Sequence, residues 1–171
     1  MTDYFALFGE ARRPWLDPTE LKEKYFSFSR TAAPSAELNE AFRVLSDPKL
    51  RLQHLLTLHG VELNAGRPVP AAVAELFWNT GSLLREIERW LLRQAGATSS
   101  LAKAVLQPER ASLAQRLKQL EGELAAHHEH ELSQLRDAPN ESTDLVERYD
   151  RISYLSRLRE RAAEKRLQLN L

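Results

Sequence analysis

The sequence has no cysteine, and only six of its 171 residues are glycine. Without cysteine there can be no disulfide, no thiolate metal site and no cysteine nucleophile. The 24 basic and 24 acidic side chains give a formal net charge of zero, so the positive footprint of a nucleic-acid binder is missing. There is neither an apolar run of membrane-spanning length nor a signal-peptide pattern at the start. These absences predict a cytoplasmic protein with no nucleic-acid or membrane partner.

The residues that are abundant favour helices. Leu, Ala, Glu and Arg dominate the sequence, and no segment shows the sustained apolar–polar alternation of a half-buried strand. A Pro/Gly-rich stretch at 64–70 interrupts the pattern and predicts a boundary between residues 1–63 and residues 70–171. The sequence therefore predicts an all-α fold. Three short helices precede the boundary, and three long helices that pack as an antiparallel bundle follow it.

Helix boundaries are predicted from capping residues. Asp17 and Asp47 each precede a proline, which suits the first turn of a helix, and Gly60 ends the helix that starts after Asp47. In the second part the long helices are predicted over 73–94, from Gln107 and Pro108 to about 137, and over 142–167.

Three segments carry patterns of a known family. The first is "DYFALFG" at 3–9, and the last is "RISYLSRLRE" at 151–160. The strongest is "NEAFRVLSDPKLRLQHLLTLHG" at 39–60, whose key positions are Asn39, Ala41, Phe42, Leu45, Asp47, Pro48 and Arg51. Together they resemble the HscB-type iron–sulfur co-chaperones. The resemblance implies a short J-domain-like helical hairpin over 1–63, followed by a C-terminal three-helix bundle over 70–171 in an L-shaped protein.

The loop between the first and second of the three predicted short helices departs from this family. In J domains a His-Pro-Asp motif in that loop contacts a DnaK/HscA-type chaperone and triggers ATP hydrolysis. The corresponding residues here are Ala33, Pro34 and Ser35. Alanine offers no donor or charge, and serine cannot replace the charge-assisted bonds of an acidic group. The sequence thus predicts a degenerate chaperone-contact loop and argues against stimulation of a partner chaperone's ATPase.

The bundle carries the predicted partner-binding residues. The resemblance implies that its first and last helices hold an iron–sulfur scaffold protein, or a related client, through exposed apolar side chains. Leu76, Phe77 and Trp78 are consecutive, so they cannot all face one core. Tyr154 lies about 200° around the last helix from Ile152, off its apolar stripe. These four residues (76–78 and 154) are the predicted scaffold-binding or client-binding set. The alternative is that the surplus aromatics pack between the two subdomains.

Metal binding and catalysis have little support in the sequence. In "AHHEHE" at 126–131, His127, His130 and Glu131 share a helical face, but a zinc site needs three or four converging ligands. We find no Gly-rich phosphate loop, nucleophile elbow or metalloprotease motif. The sequence therefore predicts a protein that is not an enzyme and holds neither metal nor cofactor.

Three hypotheses follow for function. The leading one is an HscB-type co-chaperone-like protein in iron–sulfur cluster assembly that binds a scaffold protein or client through its bundle. The alternative is a structural or regulatory protein-interaction module that has lost co-chaperone activity. A third is an active co-chaperone whose chaperone contact has moved elsewhere. The sequence leaves self-association open.

Overall fold

The computed structural model describes residues 2–31, 35–63 and 67–170, and every regular element in these ranges is helical. A short 3₁₀ turn at Ala71–Val73 leads into the first long helix. The α-helices are α1 (Tyr4–Leu7), α2 (Pro18–Thr31), α3 (Ala36–Ser46), α4 (Pro48–Leu58), α5 (Ala74–Gly96), α6 (Ser100–Gln134) and α7 (Ser142–Asn170). The all-α prediction is confirmed. None of the described helices is both long and apolar enough to cross a membrane.

The predicted caps hold the short helices. Asp17 Oδ1 accepts a hydrogen bond from the amide of Thr19 at 2.8 Å, at the start of α2. Asp47 Oδ1 accepts from the amide of Leu50 at 2.9 Å, at the start of α4. Gly60 follows α4 with φ +74°, a left-handed conformation that glycine adopts without steric cost. The starts of α2 and α4 and the end of α4 are therefore set by local chemistry, as the sequence predicts.

The predicted start of α6 at residues 107–108 is wrong. The helix begins at Ser100, and Pro108 lies inside it. The Ser99 hydroxyl accepts from the amide of Ala102 at 3.1 Å, so α6 has a serine cap ahead of the proline. The indole of Trp90 on α5 donates to the carbonyl of Leu106 at 3.1 Å and anchors the turn just before Pro108. Pro108 removes one intrahelical hydrogen bond, but the packed helix continues through it.

The chain divides by its internal contacts into two compact units. Unit 1 contains Met1–Pro68 and Glu131–Ile152, and unit 2 contains Val69–His130 and Ser153–Leu171. The end of α6 and the start of α7 therefore pack with the short helices, and the rest of both helices packs with α5. The division of the chain into a degenerate J-like domain at 1–63 and a three-helix bundle at 70–171 stays a prediction.

The core of unit 1 is formed by side chains from α1 to α4, the α1–α2 connection, α7 and the turn after α6. Burial of each large side chain contributes about 1.5–3 kcal/mol to the free energy of unfolding. The buried cluster consists of Phe5, Phe8, Leu16, Leu21, Leu38, Ala41, Leu45, Leu52, Leu55, Leu56, Leu135, Leu145 and Ile152.

A buried arginine ties α4 to its surroundings in unit 1. Arg51 donates from Nε to the carbonyl of Pro14 at 2.9 Å and from Nη1 to the carbonyl of Leu45 at 2.6 Å. Burial lowers the pKa of Arg51 to about 10, which still leaves the side chain charged at neutral pH. The guanidinium thus links α4 to the last turn of α3 and to the segment before α2.

His54 on α4 holds the N-terminal helix α1. Its Nε2 accepts a hydrogen bond from the amide of Tyr4 at 3.1 Å, and its ring stacks on the Tyr4 ring with centroids 4.6 Å apart. A ring nitrogen that accepts is unprotonated, so the neutral ring carries its proton on Nδ1. Burial lowers the pKa of His54, which favours this neutral form.

Unit 2 is built from antiparallel neighbours. Glu86–Arg116 and Arg93–Glu109 join α5 to α6, and Glu121–Arg166 and His128–Arg159 join α6 to α7. In each set the residue numbers rise along one helix as they fall along the next. The three long helices therefore pack as predicted, in alternating directions.

The core of unit 2 centres on Trp90, which is completely buried. Around it, leucines recur along α6 at three- or four-residue intervals and meet side chains from α5 and α7. The buried cluster consists of Val73, Leu76, Leu83, Leu84, Ile87, Trp90, Leu113, Leu117, Leu120, Leu124, Leu155, Leu158, Ala162 and Leu169.

Candidate partner-binding site

The three consecutive apolar residues near the start of α5 point in three directions. Leu76 is buried in the core of unit 2, Phe77 is half-buried against that core, and Trp78 is 66% exposed. The rings of Phe77 and Trp78 meet edge to face, with centroids 5.6 Å apart. Because successive helical residues are turned by about 100°, one of the three had to face outward. That residue is Trp78.

Tyr154 on α7 is half-buried and packs against the same core. The guanidinium carbon of Arg157 lies 4.3 Å from the centroid of the Tyr154 ring, a cation–π distance. Arg157 also donates from Nε to the carbonyl of Ser153 at 3.4 Å, which helps to hold it over the ring. Tyr154 is therefore a partly covered aromatic with a fixed cation on it, and it is much less open than Trp78.

The predicted scaffold-binding residues thus belong to one unit but differ in accessibility. Leu76, Phe77 and Tyr154 contact a common apolar core, and Trp78 is linked to it through Phe77. Aromatic residues and arginine are the side chains that most often anchor protein–protein interfaces. The arrangement has the composition of an interface, with Trp78 as its most exposed member. The role of all four residues in partner binding stays a prediction.

The predicted chaperone-contact loop lies mostly outside the described residues, which include neither Ala33 nor Pro34. Ser35 is described, and its hydroxyl accepts from the amide of Leu38 at 3.0 Å. It is the N-cap of α3. The serine that replaces the acidic residue of the motif therefore has a helix-capping role within the chain.

The two lysines of α2 make contacts within their own unit. Lys24 pairs with Glu10 at 2.5 Å, and Lys22 Nζ lies 6.0 Å from the ring centroid of the exposed Phe26. The exposed side of α2 thus carries the rings of Phe26 and Phe28 as well as charged side chains.

The histidine-rich segment of α6 has other contacts. Within the part of the chain that the structure describes, no three His, Asp or Glu side chains are placed to hold a metal ion. Glu131 pairs with Arg151 at 3.0 Å. His128 lies 3.3 Å from the hydroxyl of Ser156 and 3.0 Å from a guanidinium nitrogen of Arg159.

Sequence reasoning missed a group of exposed apolar side chains where α5 ends and α6 begins. Leu101 and Val105 are 74% and 70% exposed. The signal is present in the sequence, because both lie roughly 100° around α6 from its buried stripe, which includes Leu113 and Leu117. Because α6 was predicted to start at residue 107, Leu101 and Val105 were not placed on this helix.

Two solved structures resemble this architecture over almost the whole chain. For the chaperone HscB from Vibrio cholerae the TM-score is 0.54 at 17% identity, with 98% of this chain and 99% of that chain covered. The chain has an HscB-type fold. For the human co-chaperone protein HscB the TM-score is 0.51 at 19% identity, with 98% of this chain and 83% of that chain covered. No protein-family model and no curated protein sequence matches the chain. The match confirms the HscB-type, all-α fold that the sequence patterns imply. A shared fold does not by itself establish a shared function.

Proposed function

We propose that the chain is an HscB-type co-chaperone-like protein of iron–sulfur cluster assembly, and that it binds a scaffold protein or client through Phe77, Trp78 and Tyr154. The observation that carries the proposal is the exposed Trp78, held by Phe77 on the first long helix of an HscB-type fold. Leu76 is buried in the core of unit 2 and is therefore left out of the proposed contact. The HscB-type fold extends over 98% of the chain in both comparisons, and it is the architecture on which this surface lies.

A large apolar indole is unfavourable to leave exposed to water. Trp78 is 66% exposed, and covering it by a partner would remove a large apolar area from solvent. The Arg157 guanidinium over Tyr154 adds a planar donor that can meet a carboxylate of the partner. Truncating such an anchor costs about 2 kcal/mol, which corresponds to roughly 30-fold in Kd.

The proposal is tested by calorimetric titration of the organism's own iron–sulfur scaffold protein into the full chain. We expect wild type to bind and Trp78→Ala to bind about 30-fold more weakly. Tyr154→Ala should weaken binding as well, and its fold is checked by circular dichroism because the ring is half-buried. Leu167→Ala is the matched control, since Leu167 is 63% exposed on α7 in the same unit.

The outcomes separate the function from the residue assignment. A wild-type protein that does not bind the scaffold would overturn the proposed function. Binding that is equally strong in wild type and Trp78→Ala would overturn only the role of Trp78.

A protein-interaction module without co-chaperone activity is the second candidate, and the contact loop favours it. The His-Pro-Asp motif is replaced, and Ser35 caps α3. We therefore expect no increase in ATP turnover when the protein is added to the organism's DnaK/HscA-type chaperone. An intact J-domain protein is the positive control. The double variant Ala33→His with Ser35→Asp rebuilds the motif, and aspartate can still cap α3.

Scaffold binding without ATPase stimulation supports the proposed function with a degenerate loop. A protein that neither binds the scaffold nor stimulates the ATPase is the second candidate. Clear stimulation by wild type would contradict our interpretation of the loop and favour a chaperone contact elsewhere on the chain.

A further inference from the structure

One end of the α5–α6 hairpin carries exposed apolar side chains that the proposed function does not use. We call Leu92, Leu101, Ala102 and Val105 the tip surface. Leu92 is 75% exposed, and Leu101 and Val105 are exposed nearly as much. Isolated exposed leucines are common in soluble proteins, but a group on neighbouring turns of two helices indicates a surface that becomes covered.

The tip surface is continuous across the two helices. Leu101 and Val105 are four residues apart on α6, so they share a face. With Ala102 they line a groove of about 510 Å³. Leu92 lines a second depression of about 620 Å³. Arg93 lines both, so the two depressions adjoin.

The charges around the tip surface come in both signs. Arg93 on α5 pairs with Glu109 on α6, and further along the same hairpin Glu86 on α5 pairs with Arg116 on α6 at 2.6 Å. In these two pairs α5 contributes Glu86 and Arg93, and α6 contributes Glu109 and Arg116, so the acid and the base change helices from one pair to the next. Arg89 lines the depression beside Leu92 and adds one more base, so the rim is mixed in sign and not strongly acidic or strongly basic.

These features fit a second copy of this chain. In a two-fold symmetric contact the same patch meets itself, so it must be complementary to its own charges and to its own shape. A rim with Arg93 and Glu109 meets this condition, because the base of one copy can face the acid of the other. The formal net charge of zero also removes the long-range repulsion that keeps copies of a charged protein apart.

We propose that the tip surface is the two-fold interface of a homodimer. Leu101 and Val105 of each copy bury one another at its centre, and Arg93 of each copy faces Glu109 of the other at its rim. This inference is independent of scaffold binding, since it uses none of the residues assigned to that function.

The test is sedimentation equilibrium of the full chain from micromolar to near-millimolar concentration. We expect wild type to form a dimer as its concentration rises. The double variant Leu101→Asp with Val105→Asp should dimerise at least about 100-fold more weakly, because symmetry places four carboxylates in the apolar contact. Leu167→Asp is the matched control and should dimerise like wild type, since Leu167 is equally open but lies on α7.

Exchanging the charges of Arg93 and Glu109 tests whether these two side chains face each other across the interface. Arg93→Glu should weaken the dimer, because the new carboxylate lies against Glu109 of its own chain and against Glu109 of the other copy, and adding Glu109→Arg should restore both contacts. All variants are expected to keep wild-type helicity by circular dichroism, because the substituted side chains are exposed. The proposal is overturned by a wild type that stays monomeric throughout, which is also the result expected if a different protein covers the tip. Equal dimerisation of wild type and the double variant would overturn it too.

Discussion

Replacing Trp90 by alanine is expected to lower the free energy of unfolding by about 4 kcal/mol, the largest single effect we predict. Trp90 is completely buried at the centre of unit 2. Its truncation leaves a cavity among the surrounding leucines and also removes the hydrogen bond to the carbonyl of Leu106 on α6. The Leu106 carbonyl lies two residues before Pro108, and α6 already lacks one intrahelical hydrogen bond there because proline has no N–H. The loss of the hydrogen bond from Trp90 therefore affects a turn that is already weakened.

Guanidinium unfolding followed by far-ultraviolet circular dichroism measures this loss. Trp78→Ala is the matched control, because it removes the same residue type from the same helix at an exposed position. We expect it to change the free energy of unfolding by less than about 0.5 kcal/mol. Trp90→Phe keeps an aromatic ring but loses the indole donor, and it should cost about 1–2 kcal/mol. Equal losses for Trp78→Ala and Trp90→Ala would contradict the placement of the two indoles.

Replacing Arg51 by methionine is expected to lower the free energy of unfolding by about 3 kcal/mol. The substitution leaves the buried carbonyls of Pro14 and Leu45 without their donors, and each unsatisfied group costs about 1–3 kcal/mol. Removing a charge that burial disfavours offsets part of this cost, as the lowered pKa of Arg51 indicates. The net effect is still a large loss, because one side chain joins three segments of unit 1.

The same unfolding measurement tests Arg51. Arg43→Met is the control, since Arg43 is an exposed arginine on α3 that pairs with Glu40 at 2.6 Å. Exposed pairs of this kind contribute at most about 1 kcal/mol. Arg51→Lys should be intermediate, because lysine keeps the charge without the planar fork that reaches two carbonyls. A loss for Arg51→Met no larger than that for Arg43→Met would show that the two carbonyl bonds do not stabilise the fold.

The sequence predicted helix boundaries well where a local cap decides them. Asp17 and Asp47 bond to amides a few residues away, so their effect is visible in a short window of sequence. The start of α6 was predicted wrongly although it too has a local cap, Ser99, because Pro108 was expected in the first turn of the helix. The proline instead lies inside α6, where Trp90 from another helix holds the turn before it. Helix α1 (Tyr4–Leu7) is too short to show a helical period.

The candidate site was also predicted only in part. Periodicity requires that Leu76, Phe77 and Trp78 face different directions, but it does not say which of them faces solvent. That depends on how α5 is turned, and the packing of distant residues such as Leu117 and Leu158 sets the rotation. Arg51 illustrates the same limit, because its carbonyl partner at Pro14 is 37 positions away in the chain.

The membership of unit 1 has a consequence for biosynthesis. Its core is completed by Leu135, Leu145 and Ile152, which are made after the whole of α5 and α6. Helices α1 to α4 therefore emerge from the ribosome with the apolar side that these residues later cover still open to solvent. Residues 69–130 form the loop that closes when the two parts of unit 1 meet. The length of this loop adds little to the entropic cost of closing it, since that cost grows only with the logarithm of loop length. Unit 1 finishes its core only after synthesis of residues 69–130 of unit 2, so the nascent chain itself goes through a stage at which a holding chaperone has apolar surface to bind.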